Sequence, residues 1–194
     1  MHDRKENEFE FTVGANVSYY QIGATLSSEN TIYQGFGDRN HSPVCINLGF
    51  GKYLTRRHYV GLEIEAPVVS TGKVFNANLK YKLQYDPYQR NIAFYIPFGL
   101  EYTFLRSPIV PFEHFADGGH QDAEFDITFN AVGLSVGHGF SYIMKNKKAI
   151  SLEFALQKFL LVNEKYNDTA IPESELPIAD YSLLGFRFGM KINI

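Results

Sequence analysis

Nine charged side chains stand at alternate positions of segments that otherwise carry apolar and small residues. Five are carboxylates and four are cations, so the two signs nearly balance. Because charges removed from water must be paired to be tolerated, an ion-pair network is the expected arrangement. A polar pathway or gate, and a catalytic carboxylate pair, are the alternatives that these residues leave open. The nine residues are Glu10, Glu63, Glu65, Lys80, Lys82, Glu101, Glu153, Arg187 and Lys191.

Histidine and carboxylate side chains, which are usual ligands of divalent metals, cluster in the candidate loop 106–122. Polar loops collect such residues by chance, and two adjacent glycines, Gly118 and Gly119, favour a flexible loop here. No metal site and no cofactor are therefore predicted. The four residues of the cluster are His114, Asp117, His120 and Asp122.

The dominant pattern along the chain is an alternation of apolar with polar or small residues. It predicts β-strands that have two different faces. In the sixth segment the apolar positions change phase near Ala131, which predicts a β-bulge. Eight segments show the pattern, so an all-β protein of eight antiparallel, up-and-down strands is expected. The segments are 8–20, 43–54, 58–69, 73–85, 90–105, 123–144, 149–162 and 180–194.

The connections between these segments fall into two classes. If the strands are antiparallel, the first, third, fifth and seventh connections lie at one end, and three of those four are long. The other three connections are short and polar. Long loops at one rim and short turns at the other are typical of bacterial outer-membrane barrels. The long connections are 21–42, 106–122 and 163–179, and the short ones are 55–57, 70–72, 86–89 and 145–148.

The composition of the two faces predicts which of them lies inside. The polar face is rich in glycine, which suits an eight-stranded barrel interior that is just wide enough for side chains. The apolar face is nearly free of charge, as a lipid-facing surface must be. A soluble, lipocalin-like barrel with an apolar interior is the alternative. Tyrosines near strand ends are expected to supply interfacial belts. They are Tyr19, Tyr53, Tyr59, Tyr81, Tyr85, Tyr102 and Tyr142.

The last eight residues of the sequence, RFGMKINI, resemble the assembly signal that ends bacterial outer-membrane barrel proteins. Arg187, Gly189, Ile192 and Ile194 occupy its four defined positions. The last residue of that signal is usually Phe, and Ile stands there in this chain. The resemblance implies recognition by a barrel-assembly machinery.

In length and loop plan the chain resembles the small eight-stranded outer-membrane barrels, those of the OmpA transmembrane domain, OmpX and OmpW. No motif selects one of these families. The resemblance implies a monomer in contact with outer-membrane lipid and lipopolysaccharide. The expected role is structural or surface-interacting, with a mostly plugged polar lumen. A small-solute channel of the OmpW kind, a lipid A-modifying enzyme and a soluble binder are the alternatives.

The enzyme alternative lacks its motif in this sequence. The PagL lipid A deacylase family is similar in size and carries a His-x-Ser pair on one strand. Here His138 is followed by Gly-Phe-Ser and His41 directly by Ser42, so no His-x-Ser occurs. A hydrolase needs a nucleophile and a base within hydrogen-bond reach. No catalytic residue is therefore predicted.

Length and charge limit the domain organisation and the classes of partner that the chain can have. A tail, 1–7, and one barrel domain, 8–194, account for the chain. The net charge of −3 gives no basic footprint for nucleic acid. Because residues 1–11 lack an apolar segment, localisation in the bacterial outer membrane requires that a signal peptide was removed. The single cysteine, Cys45, is expected to be a small lumen residue.

Overall fold

Nine antiparallel strands make up the described part of the chain in a computed structural model. The structure describes residues 8–27, 32–34, 42–69, 73–85, 91–116, 119–144, 148–167 and 178–193. The strands are β1 (Phe9–Ser27), β2 (Ile32–Gln34), β3 (Val44–Tyr53), β4 (His58–Val69), β5 (Lys73–Tyr85), β6 (Ile92–Ala116), β7 (Gly119–Ile143), β8 (Ala149–Tyr166) and β9 (Ile178–Asn193). No helix that is long and apolar enough to cross a bilayer occurs among these residues.

Eight strands, all except β2, form a closed ring in which each strand pairs with the next one and β9 pairs with β1. The cross-strand partners can be followed around the ring from Glu10 on β1. This row of partners returns to β1 at Tyr20, ten residues further along the same strand. Such a stagger in a closed barrel goes with strands tilted by about 35–45° and an interior just wide enough for side chains. The row contains Glu10, Gly51, Gly61, Lys80, Gly99, Ser135, Gln157, Gly185 and Tyr20.

The ring has its polarity reversed relative to a soluble barrel. Outward-facing side chains such as Leu48, Leu62 and Leu134 are apolar and 48–51% exposed. Inward-facing ones such as Glu63 and Asn78 are polar and fully buried. The shortest ring strand, β3, has 10 residues, enough for a tilted strand to cross a bilayer. This surface excludes the soluble, lipocalin-like alternative, and the eight-stranded transmembrane barrel is confirmed.

The short strand β2 lies at the end of the ring that carries the long connections. It pairs with the end of β1 at Ser27 and with β6 near Phe115. Since β1 and β6 are four places apart in a ring of eight, they stand on opposite sides. β2 therefore lies across this end of the barrel.

The predicted loop 106–122 is largely wrong, and the predicted loop 163–179 is shorter at both ends, where β8 and β9 take 163–166 and 178–179. β6 and β7 pair as one hairpin as far as Ala116 and Gly119, and β8 continues to Tyr166. β1 likewise runs on to Ser27. The physical reason is that these extensions lie beyond the apolar band. Outside lipid neither face of a strand has to be apolar, so the alternation that reveals a strand is lost.

The predicted phase change near Ala131 is also wrong. Ile127, Phe129 and Ala131 are all buried and lie on the inward face, in phase with the rest of β7. The irregular position of this ladder is in the partner strand, where Leu160 has no cross-strand partner. Because these apolar side chains point into the upper lumen and not to lipid, the sequence pattern suggested a bulge in β7 that the structure does not have.

Candidate functional site

The lumen is the candidate site, because it collects the nine charged side chains singled out in the sequence. The structure places all of them inside the ring, and none is more than 6% exposed. They come from β1, β4, β5, β6, β8 and β9, so the closed ring is what brings them together. They form three tiers along the barrel axis, here called the lower, central and upper tier.

The central tier is a square of two lysines and two glutamates. Lys80 Nζ lies 2.6 Å from a carboxylate oxygen of both Glu63 and Glu153. Lys191 Nζ lies 2.7 Å from Glu63 and 3.3 Å from Glu153. Each charge thus has two partners of opposite sign, which is the condition under which buried charges are tolerated.

The upper tier is built on one arginine. The Arg187 guanidinium donates to Glu65 at 2.8 Å and to Glu101 at 3.2 Å. Two asparagines supply further hydrogen bonds to these carboxylates. Asn76 donates to Glu65 and Asn78 donates to Glu101, each at 3.0 Å. The amide of Gln157 also donates to Glu101.

The lower tier combines an ion pair with aromatic rings. Lys82 Nζ lies 3.3 Å from Glu10, which also accepts a hydrogen bond from the Tyr53 hydroxyl at 3.2 Å. The same ammonium lies 4.2 Å from the ring centroid of Tyr59 and 5.5 Å from that of Tyr95, both within cation–π range. The two aromatic faces therefore stabilise the Lys82 ammonium, as a second carboxylate stabilises each lysine of the central tier.

Glycines make room for these rings. A Cβ atom on Gly51 or Gly61 would meet the Tyr59 ring within 3 Å, and one on Gly139 would meet Tyr95. Real Cβ atoms do not approach so closely, so the lumen glycines are needed for large side chains to lie flat against the wall.

The predicted tyrosine belts are wrong in two positions. Tyr53 and Tyr59 lie in the lumen, 4% and 0% exposed, because both occupy inward positions of β3 and β4. Tyr85, Tyr102 and Tyr142 are on the outer surface, each more than 40% exposed. Tyr19 and Tyr81 are half-buried.

The lumen changes character towards the long-connection end. Above the upper tier the inward positions are apolar or aromatic rather than charged. Tyr20 joins the two regions, since its hydroxyl accepts a hydrogen bond from Asn76 at 2.6 Å and its ring lies 6.3 Å from that of Phe159. This apolar plug consists of Tyr20, Val74, Leu105, Ile127, Phe129, Ala131 and Phe159, none more than 6% exposed.

Sequence reasoning missed the uncharged members of the site. Asn76, Asn78, Gln157 and Tyr95 contact the charged residues, although only the charges were singled out as site residues. The sequence did contain a signal for these four residues, because each stands at a position that alternates with the outward-facing apolar residues of its strand. What alternation does not give is the cross-lumen partner, which depends on the stagger of the closed ring.

The candidate catalytic and metal residues do not assemble in the described structure. His138 faces outward, 2.5 Å from the Tyr85 hydroxyl, whereas Ser141 faces inward, 2.7 Å from Ser151. A nucleophile and base on opposite faces of one wall cannot meet. No group of three metal-ligating residues occurs among the described side chains. The side chains of His114, Asp117, His120 and Asp122 lie outside the described part.

The residues of the predicted C-terminal signal divide between the faces of β9. Arg187 and Gly189 point into the lumen, and Ile192 is 43% exposed on the outer surface. Ile194 lies outside the described residues. Cys45 is fully buried, on the inward phase of β3.

An apolar outer wall, a charged interior and a closed ring of eight antiparallel strands define a transmembrane β-barrel. No protein-family model matches the sequence, and no curated protein matches it. Among solved structures, Neisserial surface protein A is similar, with 13% identity, coverage of 95% of this chain and 96% of that chain, and a TM-score of 0.53. The structure of AlkL in lipid bilayers has 13% identity, coverage of 100% and 94%, and a TM-score of 0.51.

A major outer-membrane protein of Thermus thermophilus has 10% identity, coverage of 96% and 100%, and a TM-score of 0.50. At such identities the likeness concerns the fold alone. The chain thus has the fold of the small outer-membrane barrels that its length and loop plan resemble.

Proposed function

We propose that this chain is an integral barrel of a bacterial outer membrane with a structural or surface-interaction role and a lumen closed to ions. The observation that carries the proposal is the three-tier stack of buried ion pairs. A barrel that conducts needs a continuous water path, and buried charged and aromatic side chains lie across the described interior.

Some of the ion pairs join neighbouring strands, and others cross the lumen. Arg187 on β9 reaches Glu65 on β4, and Lys80 on β5 reaches Glu153 on β8. In each case the two strands are three places apart in the ring of eight. Because breaking one buried pair costs about 3–5 kcal/mol, opening several tiers together is strongly disfavoured.

The partners follow from the surface that surrounds this stack. The apolar band supports contact with outer-membrane lipid and lipopolysaccharide, and it supports a monomer, since lipid can cover all of it. Arg187, Gly189 and Ile192 support recognition by a barrel-assembly machinery through the C-terminal signal. No cofactor and no nucleic acid enter the proposal.

Conductance in planar bilayers tests the closed lumen. The wild-type protein is expected to stay near the baseline, because no tier opens without losing buried pairs. The double variant Lys80→Ala/Glu153→Ala removes one cross-lumen pair without changing the net charge, and we expect it to conduct more. Leu134→Ala, on the outer surface, is the matched control and should behave as wild type. Large, steady openings of the wild-type barrel would contradict the proposal.

A small-solute channel is the second candidate, and one observation favours it. The amides of Asn16 and Asn47 and the hydroxyl of Ser18 are buried without a hydrogen-bond partner in the structure. They lie together on β1 and β3, beside the upper tier, and a polar solute could bind them. Solute uptake by liposomes that contain the barrel, compared with empty vesicles, separates this candidate from the first.

A further inference from the structure

Charge is separated between the two ends of the barrel. The connections between ring strands at one end contain six Lys or Arg and one Asp, whereas those at the opposite end contain six Asp or Glu and one Arg. A net charge of −3 for the whole chain conceals this asymmetry. The basic connections are 54–57, 86–91 and 144–148, and the acidic ones are 28–43, 70–72, 117–118 and 167–177.

The turn between β3 and β4 holds two of these cations in a defined place. The Thr55 hydroxyl accepts hydrogen bonds from the backbone N–H groups of Arg57 and His58, both at 3.2 Å. The backbone N–H of Leu54 donates to the His58 carbonyl at 2.8 Å. Arg56 and Arg57 are both exposed on this turn, which is fixed by its own hydrogen bonds.

The same turn stands where the lipid-facing wall ends. Lys52 Nζ lies 5.3 Å from the ring centroid of Phe9, and Phe9 stacks on Phe50 at 5.5 Å. Phe9 is 64% exposed and Phe50 is 55% exposed on the outer surface. A cation directly beyond an exposed aromatic pair meets the phosphate layer of a bilayer whose acyl chains contact the rings. Lys148, on the turn before β8, is exposed at the same end.

We propose that Lys52, Arg56, Arg57 and Lys148 form a basic turn rim that binds the headgroups of anionic phospholipids. Charge complementarity carries the choice of partner, because phosphodiester groups are the anions that lie at this depth beside the apolar band. Arginine suits the task, since its planar guanidinium can contact a phosphate with two parallel N–H groups. The acidic connections at the opposite end lack this complementarity. The rim can bind these headgroups whether or not the lumen conducts ions.

The selectivity of the barrel for spin-labelled lipids tests the rim. The protein is reconstituted in phosphatidylcholine, and electron paramagnetic resonance measures the motionally restricted fraction of labelled phosphatidylglycerol and labelled phosphatidylcholine. Wild-type protein is expected to favour phosphatidylglycerol by roughly threefold or more, since one basic residue near an anionic surface contributes up to about fivefold. The variant Arg56→Gln/Arg57→Gln should lower the ratio clearly, and the variant that also carries Lys52→Gln and Lys148→Gln should bring it close to one. About 0.5 M salt should lower the wild-type ratio in the same direction.

A matched control removes two cations from the acidic end. Arg106→Gln/Lys165→Gln changes the net charge equally and should keep the wild-type ratio. The proposal is overturned if wild type shows no preference, if the turn variant keeps it, or if only the control loses it. Binding of soluble polyglutamate that requires Arg56 and Arg57, without lipid preference, would also overturn it in favour of an acidic macromolecular partner. Should the turn variant not fold, salt-independent selectivity of wild type decides against the rim.

Discussion

Arg187 pairs with two carboxylates through two different nitrogens of one planar group. It serves two carboxylates, Glu65 and Glu101, on strands to either side of the lumen axis. The planar guanidinium presents a separate nitrogen to each carboxylate, whereas a lysine would have to reach both from one nitrogen. Buried pairs add little net stability compared with apolar packing, but half of a pair is costly. The upper tier therefore acts as a unit in which each member is needed because the others are present.

Arg187→Met is expected to lower the free energy of unfolding by about 3–5 kcal/mol, because it leaves two buried carboxylates without a cation. The triple variant with Glu65→Gln and Glu101→Gln should recover most of that loss, and Arg187→Lys should fall between. Urea-induced unfolding in lipid vesicles measures the difference. Equal stability of Arg187→Met and wild type would show that the tier does not form.

At the scale of the strand, the alternation of apolar and polar residues predicted which face of each strand meets lipid and which meets the lumen. Within the apolar band each residue meets either lipid or the lumen, so the side-chain pattern has a period of two and was visible in all eight ring strands. Leu62 and Ile64 lie outward and Glu63 and Glu65 inward, as that pattern predicted. Beyond the band the constraint disappears, which is why the extensions of β6, β7 and β8 were taken for loops.

The facing of β7 shows a second limit of the pattern. Ile127 and Phe129 are apolar and point inward, because the upper lumen is filled by an apolar plug rather than by ions. From sequence, an apolar residue in a membrane strand is assigned to lipid. The change in lumen character along the axis is set by which strands face each other, and no single strand contains that information.

Phe129→Ala is expected to cost about 3–5 kcal/mol, because it opens a cavity among buried apolar side chains. Leu134→Ala on the same strand should cost much less, since Leu134 is 51% exposed and lipid can fill the space. Unfolding of both variants in the same vesicles provides the comparison. Similarly small losses at Phe129 and Leu134 would restore the predicted change of phase in β7, which placed both side chains towards lipid.

Arginine at outward positions of β4 tests the lipid-facing wall. Leu62→Arg and Ile64→Arg should each cost about 2–4 kcal/mol in a bilayer, the cost of arginine near the midplane of a barrel. Leu54→Arg, in the exposed turn before the same strand, is the control and should cost little, since Leu54 is 53% exposed. Refolding into vesicles, followed by the heat-dependent shift of folded barrels on gels, is the readout. Unimpaired folding of both β4 variants would argue against a lipid-facing wall.

At the scale of the whole molecule, eight strands and a stagger of ten residues decide which residues meet across the lumen. Lys80 meets Glu63, and Lys191 meets Glu153, across neighbouring strands. Lys80 meets Glu153, and Lys191 meets Glu63, only because the sheet closes with that stagger. The sequence contained the eight strands, the two faces and the nine charges. The pairing of Lys191 with Glu63, 128 residues apart, depends on closure and on the tilt of the strands.

The central claim is that the outer wall faces lipid while the charges pair inside. Solid-state NMR of the labelled protein in lipid bilayers tests both halves in one sample. Proton magnetisation from the acyl chains should reach the methyl groups of Leu62 and Ile64 first, and Lys80 Nζ and Lys191 Nζ should correlate with the Glu63 carboxylate. Early transfer from lipid to Glu63 or Lys80, together with no lysine–carboxylate correlation, would contradict the account.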